Sequence, residues 1–549
     1  MRKMAFKESL TVEFKSDRKK LPDEILVEAV VAFANTDGGE IYLGVEDGGE
    51  ITGLHQDHAD PLTLSAFISN RTVPPISTRT EVLEYAKPVL KISVPRSATI
   101  VATSSGKMLR RRLKADGTPE NVPMYPYEIT SRLSSLSLLD LSAQPLPNAD
   151  YDDLDVVERE RLRNSIRAYK GDQGLLSLAD DELDKALRLV TTVDGKLVPT
   201  MAGLLLIGRA ERIQELIPTA EASIQILEGT SVVVNESFTQ PLLRAFEQIN
   251  TYVAARNRET EMEMGLFRIS IPDIDKRAFR EALVNAFSHR DYSMLGRVIV
   301  RLEDEGLTIS NPGGFIEGIS IDSLLDAEPH GRNPALADAL KRIGLAERTG
   351  RGIDRIFEGS LQFGRLLPDY SASNERTVKL FIPKGRPDQE FIKMVSEEQK
   401  RIGRSLPIHS LLVLNTLKQI HRATIEDISM QTNIDGTKIK VTLGNLIDSG
   451  LVEAIGTGKA KTYILSSKVY KRSDNTVGYV RAKYIDAIRF EELVLTLARE
   501  QGSVTRKDVM ELLHLSSDQA YRVLRKMVDD NRLKLRGKGK NSRYVIKGT

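Results

Sequence analysis

Arg280-Glu281-Ala282-Leu283-Val284-Asn285-Ala286-Phe287-Ser288-His289-Arg290-Asp291-Tyr292 is the stretch from which the fold is read. Its composition predicts a helix, and Glu281 and Asn285, four residues apart, then project from one face. A magnesium–nucleotide site needs such a pair: a carboxamide oxygen is a hard ligand suited to Mg²⁺, and a carboxylate can position or deprotonate water. Working outward, Val298-Ile299-Val300-Arg301-Leu302 and Leu307-Thr308-Ile309 predict two strands, with Asn311-Pro312-Gly313-Gly314 directly after the second. A polar side chain at a strand end, followed by glycines, lets backbone approach a flat base. Further on, Gly350-Arg351-Gly352-Ile353 precedes a helical pattern, and free N–H groups at a helix start suit phosphate. Taken singly, a Glu/Asn pair also describes a solvated helix face, and a Gly-x-Gly a helix cap.

In this order and spacing, with Arg332-Asn333-Pro334 between, the segments resemble the GHKL (Bergerat) ATP-binding fold of gyrase and histidine kinases. They are most similar to its divergent HATPase branch in transcriptional regulators. The resemblance covers about 100 residues. It implies Glu281 as general base for ATP hydrolysis, Asn285 as Mg²⁺ ligand and Asn311 as the adenine contact, with Gly313, Gly314, Asn333, Gly350 and Gly352 around the nucleotide. The wider family has Asp where Asn311 stands; an Asn oxygen still accepts a hydrogen bond from the adenine amine. No full lid motif over the nucleotide is evident, so binding is the firmer expectation and turnover the weaker. Gly456-Thr457-Gly458-Lys459 fails the P-loop spacing, so a helicase motor is not expected.

The N-terminal third carries Glu8-Ser9-Leu10-Thr11-Val12-Glu13-Phe14-Lys15, then Phe33-Ala34-Asn35-Thr36-Asp37-Gly38-Gly39, then Leu43-Gly44-Val45-Glu46-Asp47. Between the first two motifs, Ile25, Leu26, Ala29, Val30 and Phe33 form an apolar helix face at 3.6-residue spacing. The motifs resemble the Schlafen AlbA_2 family, which implies nucleic-acid binding. In relatives with nuclease activity the matching acidic positions, here Glu8, Glu13 and Asp47, hold Mg²⁺ or Mn²⁺; the other reading makes Glu13 an exposed strand residue and Asp47 part of an Asp-Gly turn. Arg110-Arg111-Arg112 suits phosphate contact or a solvated basic strand.

Near the C-terminus, residues 505–513 predict a helix, Leu515-Ser516 a turn, and residues 517–527 a recognition helix with Val523, Leu524 and Met527 inward and Gln519, Arg522 and Arg525 outward. Arg536, Lys538, Lys540 and Arg543 lie in a basic, glycine-rich wing. Residues 405–470 repeat the pattern with a less basic helix containing Thr437-Lys438-Ile439-Lys440 and Gly458-Lys459-Ala460-Lys461 as wing.

Whole-chain composition bounds the reading. The 549 residues suggest three to five domains. The absence of cysteine excludes disulfides, thiolate zinc sites and iron–sulfur clusters, and seven histidines argue against a His-rich metal centre. No apolar run reaches membrane-spanning length and no secretory leader is seen, so a cytoplasmic protein is expected. The expected fold class is multidomain α/β. It has an AlbA/Schlafen-like α+β domain (1–133), a linker (134–150), a mixed α/β region (151–270), a GHKL α/β sandwich (271–385), a helical linker (386–404), and winged helix-turn-helix domains at 405–470 and 485–549. The leading expectation is an ATP-responsive DNA-binding regulator, a dimer or higher oligomer. Its rivals are a Schlafen-like nuclease acting in phage defence, with the GHKL domain as sensor, and a scaffold holding ATP as structural ligand.

Overall fold

The computed structural model describes residues 4, 6–264, 267–327, 331–347, 350–456, 458, 461–466, 491–499, 501–513, 517–536 and 542–547. They fall into two compact units: residues 1–257, 276–356 and 368–384 form the first, and residues 258–275, 357–367 and 385–549 the second.

The first unit begins with β1 (Val12–Lys15), α1 (Asp23–Ala34), β2 (Gly39–Leu43), α2 (Pro61–Arg71), β3 (Thr72–Val73), β4 (Arg79–Glu84), β5 (Pro88–Val94), β6 (Ala102–Thr103), β7 (Leu109–Leu113), β8 (Pro119–Pro123) and α3 (Pro126–Ser135). A four-stranded sheet runs β1-β2-β5-β4, parallel only between β1 and β2, and β7 and β8 form a separate hairpin. The apolar face expected of α1 is wider than its spacing suggested. Val27, Val31 and Ala32 are buried beside Leu26, Ala29, Val30 and Phe33, because the sheet, α2 and β6–β8 all pack on the helix; a helix apolar all round belongs inside. Ile25, expected on that face, is exposed in the first turn. Asn35 explains the Phe-Ala-Asn motif: buried past the helix end, its amide donates to the carbonyls of Val101 and Leu109 and its oxygen accepts from the Val101 N–H. One side chain thus satisfies three backbone groups that would otherwise be orphaned.

There follow α4 (Val156–Ala168), α5 (Asp180–Ala186), β9 (Val190–Val193), β10 (Lys196–Pro199), α6 (Met201–Ile207), α7 (Ala210–Leu216), β11 (Ala222–Glu228), β12 (Ser231–Phe238) and α8 (Leu242–Ala254). After β13 (Glu259–Met264) and β14 (Phe267–Pro272) the unit resumes with α9 (Lys276–His289), β15 (Val298–Leu302), β16 (Gly306–Pro312), α10 (Pro334–Ile343), α11 (Gly352–Leu361) and β17 (Thr377–Pro383). A five-stranded mixed sheet runs β12-β11-β15-β16-β17, with β11 parallel to β15. The boundary expected at residue 270 therefore does not separate two sheets. β11 is a full ladder partner of β15 (Ile224 opposite Val300), a long-range pairing that local patterning does not report.

Residues 134–150, expected as a linker, are built into this unit. Asp140 accepts the Ala335 N–H at 2.8 Å, Ser142 accepts the Leu336 N–H at 3.1 Å, and Pro145 bridges Thr200. The start of α10 thereby receives acceptors for donors that have no partner within the helix.

In the second unit α12 (Gln389–Ile402), expected as a charged linker, buries Phe391, Ile392, Met394 and Val395. Next come α13 (Ile408–Ile420), α14 (Ile425–Thr432) and α15 (Gly436–Asp448), then the antiparallel pair β18 (Val452–Ile455) and β19 (Thr462–Leu465). Residues 491–499 are helical, followed by α16 (Arg506–Leu513), α17 (Ser517–Asp529) and the pair β20 (Leu533–Arg536) and β21 (Arg543–Ile546). The last module closes on its own core, with Ala520, Leu524, Met527, Leu533 and Tyr544 buried in it. No helix among the described residues is long and apolar enough to cross a membrane.

Candidate nucleotide-binding site

One cavity in the first unit is walled by α9, β16, β17, the segment after β16, Ala337 and Lys341 of α10 and the start of α11. Glu281, Asn285, Asn311, Gly314, Gly350 and Gly352 all line it. Residues spread over about seventy positions meet because α9 packs directly on β16.

Glu281 is the buried carboxylate of the set. Its carboxyl is held above the usual range, first by burial and then by the nearby charge of Glu347, against the opposing pull of the Glu347 N–H (3.2 Å) and the Asn285 amide. A carboxyl raised this way is a stronger base than one in water, the direction a water-activating group needs. Gly352 stands directly against it: a Cβ there would come within 2.1 Å of Glu281 Oε1. Asn311 is buried at the end of β16, and its amide nitrogen donates to the Pro312 carbonyl (3.2 Å), which leaves the oxygen to accept. Ile309, Ile316 and Leu380 supply apolar wall for a base, and Lys341 a cation for a phosphate.

Sequence reasoning missed Lys341, His289 and Tyr370 as lining residues. Lys341 was legible as the basic last turn of α10, but its direction depends on tertiary packing. His289 is drawn down to about 4 by burial and by the positive charges of Arg332 and Lys341, and so stays neutral. Burial pushes the Tyr370 hydroxyl up, with Glu281 adding to the effect.

Two expected nucleotide contacts lie behind the cavity wall. Asn333 is fully buried and donates to the Ser288 and Arg290 carbonyls at 2.9 and 2.8 Å, bracing the end of α9. Gly313, at φ +93°, packs against Asp291, where a Cβ would lie 2.8 Å from the Asp291 Cβ. The His-Arg-Asp-Tyr and Arg-Asn-Pro motifs are thus a frame. Asp291 accepts from Ser131 Oγ (2.5 Å), Ser293 and Arg332 (3.2 Å); Arg332 also donates to Ser135 Oγ and the Gly314 carbonyl. Helix α3 of the N-terminal domain is keyed into this frame through Ser131 and Ser135. Arg96 and Arg132 pair with Glu317 beyond it.

In the N-terminal domain Arg111 points inward rather than toward a phosphate. It is buried, ion-paired with Glu13, and donates to the Leu10 and Ser9 carbonyls. Strand alternation sends Arg110 and Arg112 the other way, to Glu128 (2.5 Å) and Glu120 (2.7 Å). Glu13 is buried and also takes Lys15 at 2.5 Å, whereas Asp47 is exposed beside Gly48. Glu8 accepts the Phe14 N–H (2.8 Å), and burial, with the charges of Asp47 and Glu13, raises its carboxyl. Among the described residues no cluster of three or more His, Cys, Asp or Glu is placed to hold a metal ion.

On α17, Arg522 and Arg525 are exposed, as are Arg536 and Arg543 on the hairpin strands; Val523, expected inward, is half-buried at the edge of the core. The Gln519 side chain, Lys538 and Lys540 lie outside the described residues, as does Lys459 of the earlier module.

Residues 8–117 match the family model of Schlafen, AlbA_2, and residues 296–381 match the one described as "Putative ATP-dependent DNA helicase recG C-terminal". Residues 134–223 match a domain of unknown function. The first two matches give the chain the composition its motifs resemble, a Schlafen AlbA_2 domain followed by an ATPase-type domain. No curated protein matches it. Among solved structures, the DIP2311 protein from Corynebacterium diphtheriae is 20% identical with a TM-score of 0.50, over 98% of this chain and 95% of that one. The mRNA-binding domain of elongation factor SelB from E. coli, in complex with SECIS RNA, is 14% identical with a TM-score of 0.15, over 25% of this chain and 97% of that one.

Proposed function

We propose that the protein is an ATP-binding, nucleic-acid-binding regulator whose DNA contacts are modulated by nucleotide. The observation that carries the reading is the convergence of Glu281, Asn285, Asn311, Gly350 and Gly352 on one cavity. The donor set fits Mg–ATP. Asn285 would hold the metal, Asn311 would accept from the adenine amine, and Lys341 and the N–H groups at the start of α11 would face the phosphates. Bound ATP would supply the phosphoanhydride; Glu281 holds a raised carboxyl beside it and orients water through that group.

The two three-helix modules with hairpins are read as winged helices, the second with α17 as recognition helix and Arg522 and Arg525 toward duplex DNA. Regulation fits the frame described above, since Arg332 bonds both the cavity segment (Gly314) and α3 (Ser135). Any shift of that segment on nucleotide binding would act on the N-terminal domain through a packed ion pair. Titration calorimetry tests the core of the proposal: wild type binds Mg–ATP, Asn285→Ala binds it weakly, and a wild type with no affinity for ATP or ADP refutes it. The nuclease reading keeps one observation in its favour, the raised carboxyl of Glu8, which burial and then the charges of Asp47 and Glu13 push up.

A further inference from the structure

Outside the nucleotide site, the strongest unassigned feature is a cleft along the β7–β8 hairpin, lined by Arg110, Arg112, Lys114, Glu120 and Arg376. Four cations there face one lining carboxylate, with Glu128 set behind Arg110. Lys114 and Arg376 are exposed and make no side-chain ion pair among the described residues, and Arg110 Nε is buried with no partner there. At the Arg110 end of the hairpin stand two exposed tyrosines, Tyr125 (55%) and Tyr127 (47%). Their rings are 6.1 Å apart and within 10° of parallel. They are fixed to the basic strand through Glu128, which accepts the Tyr125 N–H (2.9 Å) and Arg110 (2.5 Å).

Exposed parallel aromatic rings beside a basic groove are what an unpaired strand requires. Bases stack on the rings whatever their sequence, and the groove follows the phosphates. A duplex keeps its bases stacked inside and has no use for the rings. We infer that the β7–β8 hairpin is a seat for single-stranded nucleic acid, with phosphates on Arg110, Arg112, Lys114 and Arg376 and bases on Tyr125 and Tyr127. The seat deepens the proposed function by naming the ligand class of the N-terminal domain. It also reaches the nucleotide cavity. The Arg376 carbonyl accepts the Gly313 N–H at 2.8 Å and the Glu375 carbonyl the Gly314 N–H at 3.1 Å, so the phosphate-facing residue and its neighbour are bonded to the segment whose Gly314 lines the cavity.

Fluorescence anisotropy of the full chain with labelled oligothymidylate and oligouridylate, across a salt series, tests the seat, the two strands distinguishing DNA from RNA. Tyr125→Ala with Tyr127→Ala should weaken binding about tenfold or more, and the paired Phe substitutions should retain it. Arg376→Ala, on an exposed position, should lower the salt slope by about 0.7, the contribution of one single-strand phosphate. Ala variants that bind within twofold of wild type, or an Arg376→Ala slope equal to wild type, overturn the inference. So does a wild type that ignores both strands while still binding Mg–ATP and duplex DNA; loss of those two as well would instead refute the function proposed above.

Discussion

Gly352→Ala isolates the part of the nucleotide site that depends on close approach. Gly352 does not occupy the left-handed backbone region, so alanine meets no conformational penalty there, and it opens α11, where alanine is the better helix former by about 1 kcal/mol. The new methyl, however, would lie 2.1 Å from Glu281 Oε1, and ordinary contact begins near 3.4 Å, so the carboxylate must retreat by about 1.3 Å. Glu281 is buried and bonded to the Glu347 N–H, so the retreat breaks that bond and moves the carboxyl off the cavity wall. A misplacement of about 1 Å at a reacting group costs on the order of a hundredfold in rate. The lost bond of a buried carboxylate costs about 1–3 kcal/mol and outweighs the helix gain, so the expected outcome is a protein that melts below the wild-type temperature, with Mg–ATP affinity lowered severalfold and any phosphate release lowered by about two orders of magnitude. Calorimetry, a phosphate-release assay and a thermal melt read the three quantities. A variant that binds and turns over ATP like wild type would refute the placement of Glu281 against the nucleotide.

Asp291→Asn should destabilise the first unit by about 3–5 kcal/mol, because the buried Arg332 guanidinium loses its counter-charge; an unchanged melt would show that Asp291 does not frame the cavity. His289 is neutral when folded and titrates at about 4, below its unfolded value near 6.5, so its contribution to stability is present above about pH 6.5 and lost as pH falls toward 4; His289→Gln should flatten melting temperature against pH in that window. Cleavage of tRNA, single-stranded RNA or single-stranded DNA in Mn²⁺ is the outcome the nuclease reading expects, abolished by Asp47→Asn, an exposed substitution that disturbs no packing. Glu13→Ala would strand buried Arg111 and confound activity with folding, and no cleavage of any substrate leaves the domain as a binding module. Arg522→Ala with Arg525→Ala should weaken duplex binding and reduce its salt slope by up to about 1.8 if both contact phosphate; an unaltered slope would place the duplex elsewhere.

Much of this protein was legible from local pattern. Helix α9, strands β15 and β16, the glycine starting α11 and both C-terminal three-helix modules follow from periodicity and turn residues, because those signals are properties of neighbouring residues. The pairing of Glu281 with Asn285 follows from helix geometry alone. What sequence could not decide was direction and partnership over long separations. Arg110, Arg111 and Arg112 are chemically alike, and only the pairing of β7 with β8 and the packing of α1 beneath them turn the middle one onto Glu13 and the outer two away. Asn333 reads as a nucleotide contact in a motif beside other contacts, yet packing spends its amide on the Ser288 and Arg290 carbonyls. Residues 134–150 have linker composition, but the open N–H groups at the start of α10 recruit Asp140 and Ser142 into the fold. Composition and spacing fix which groups a chain owns; which of them face a ligand depends on the burial of every other polar group, and that is settled only when the whole chain packs.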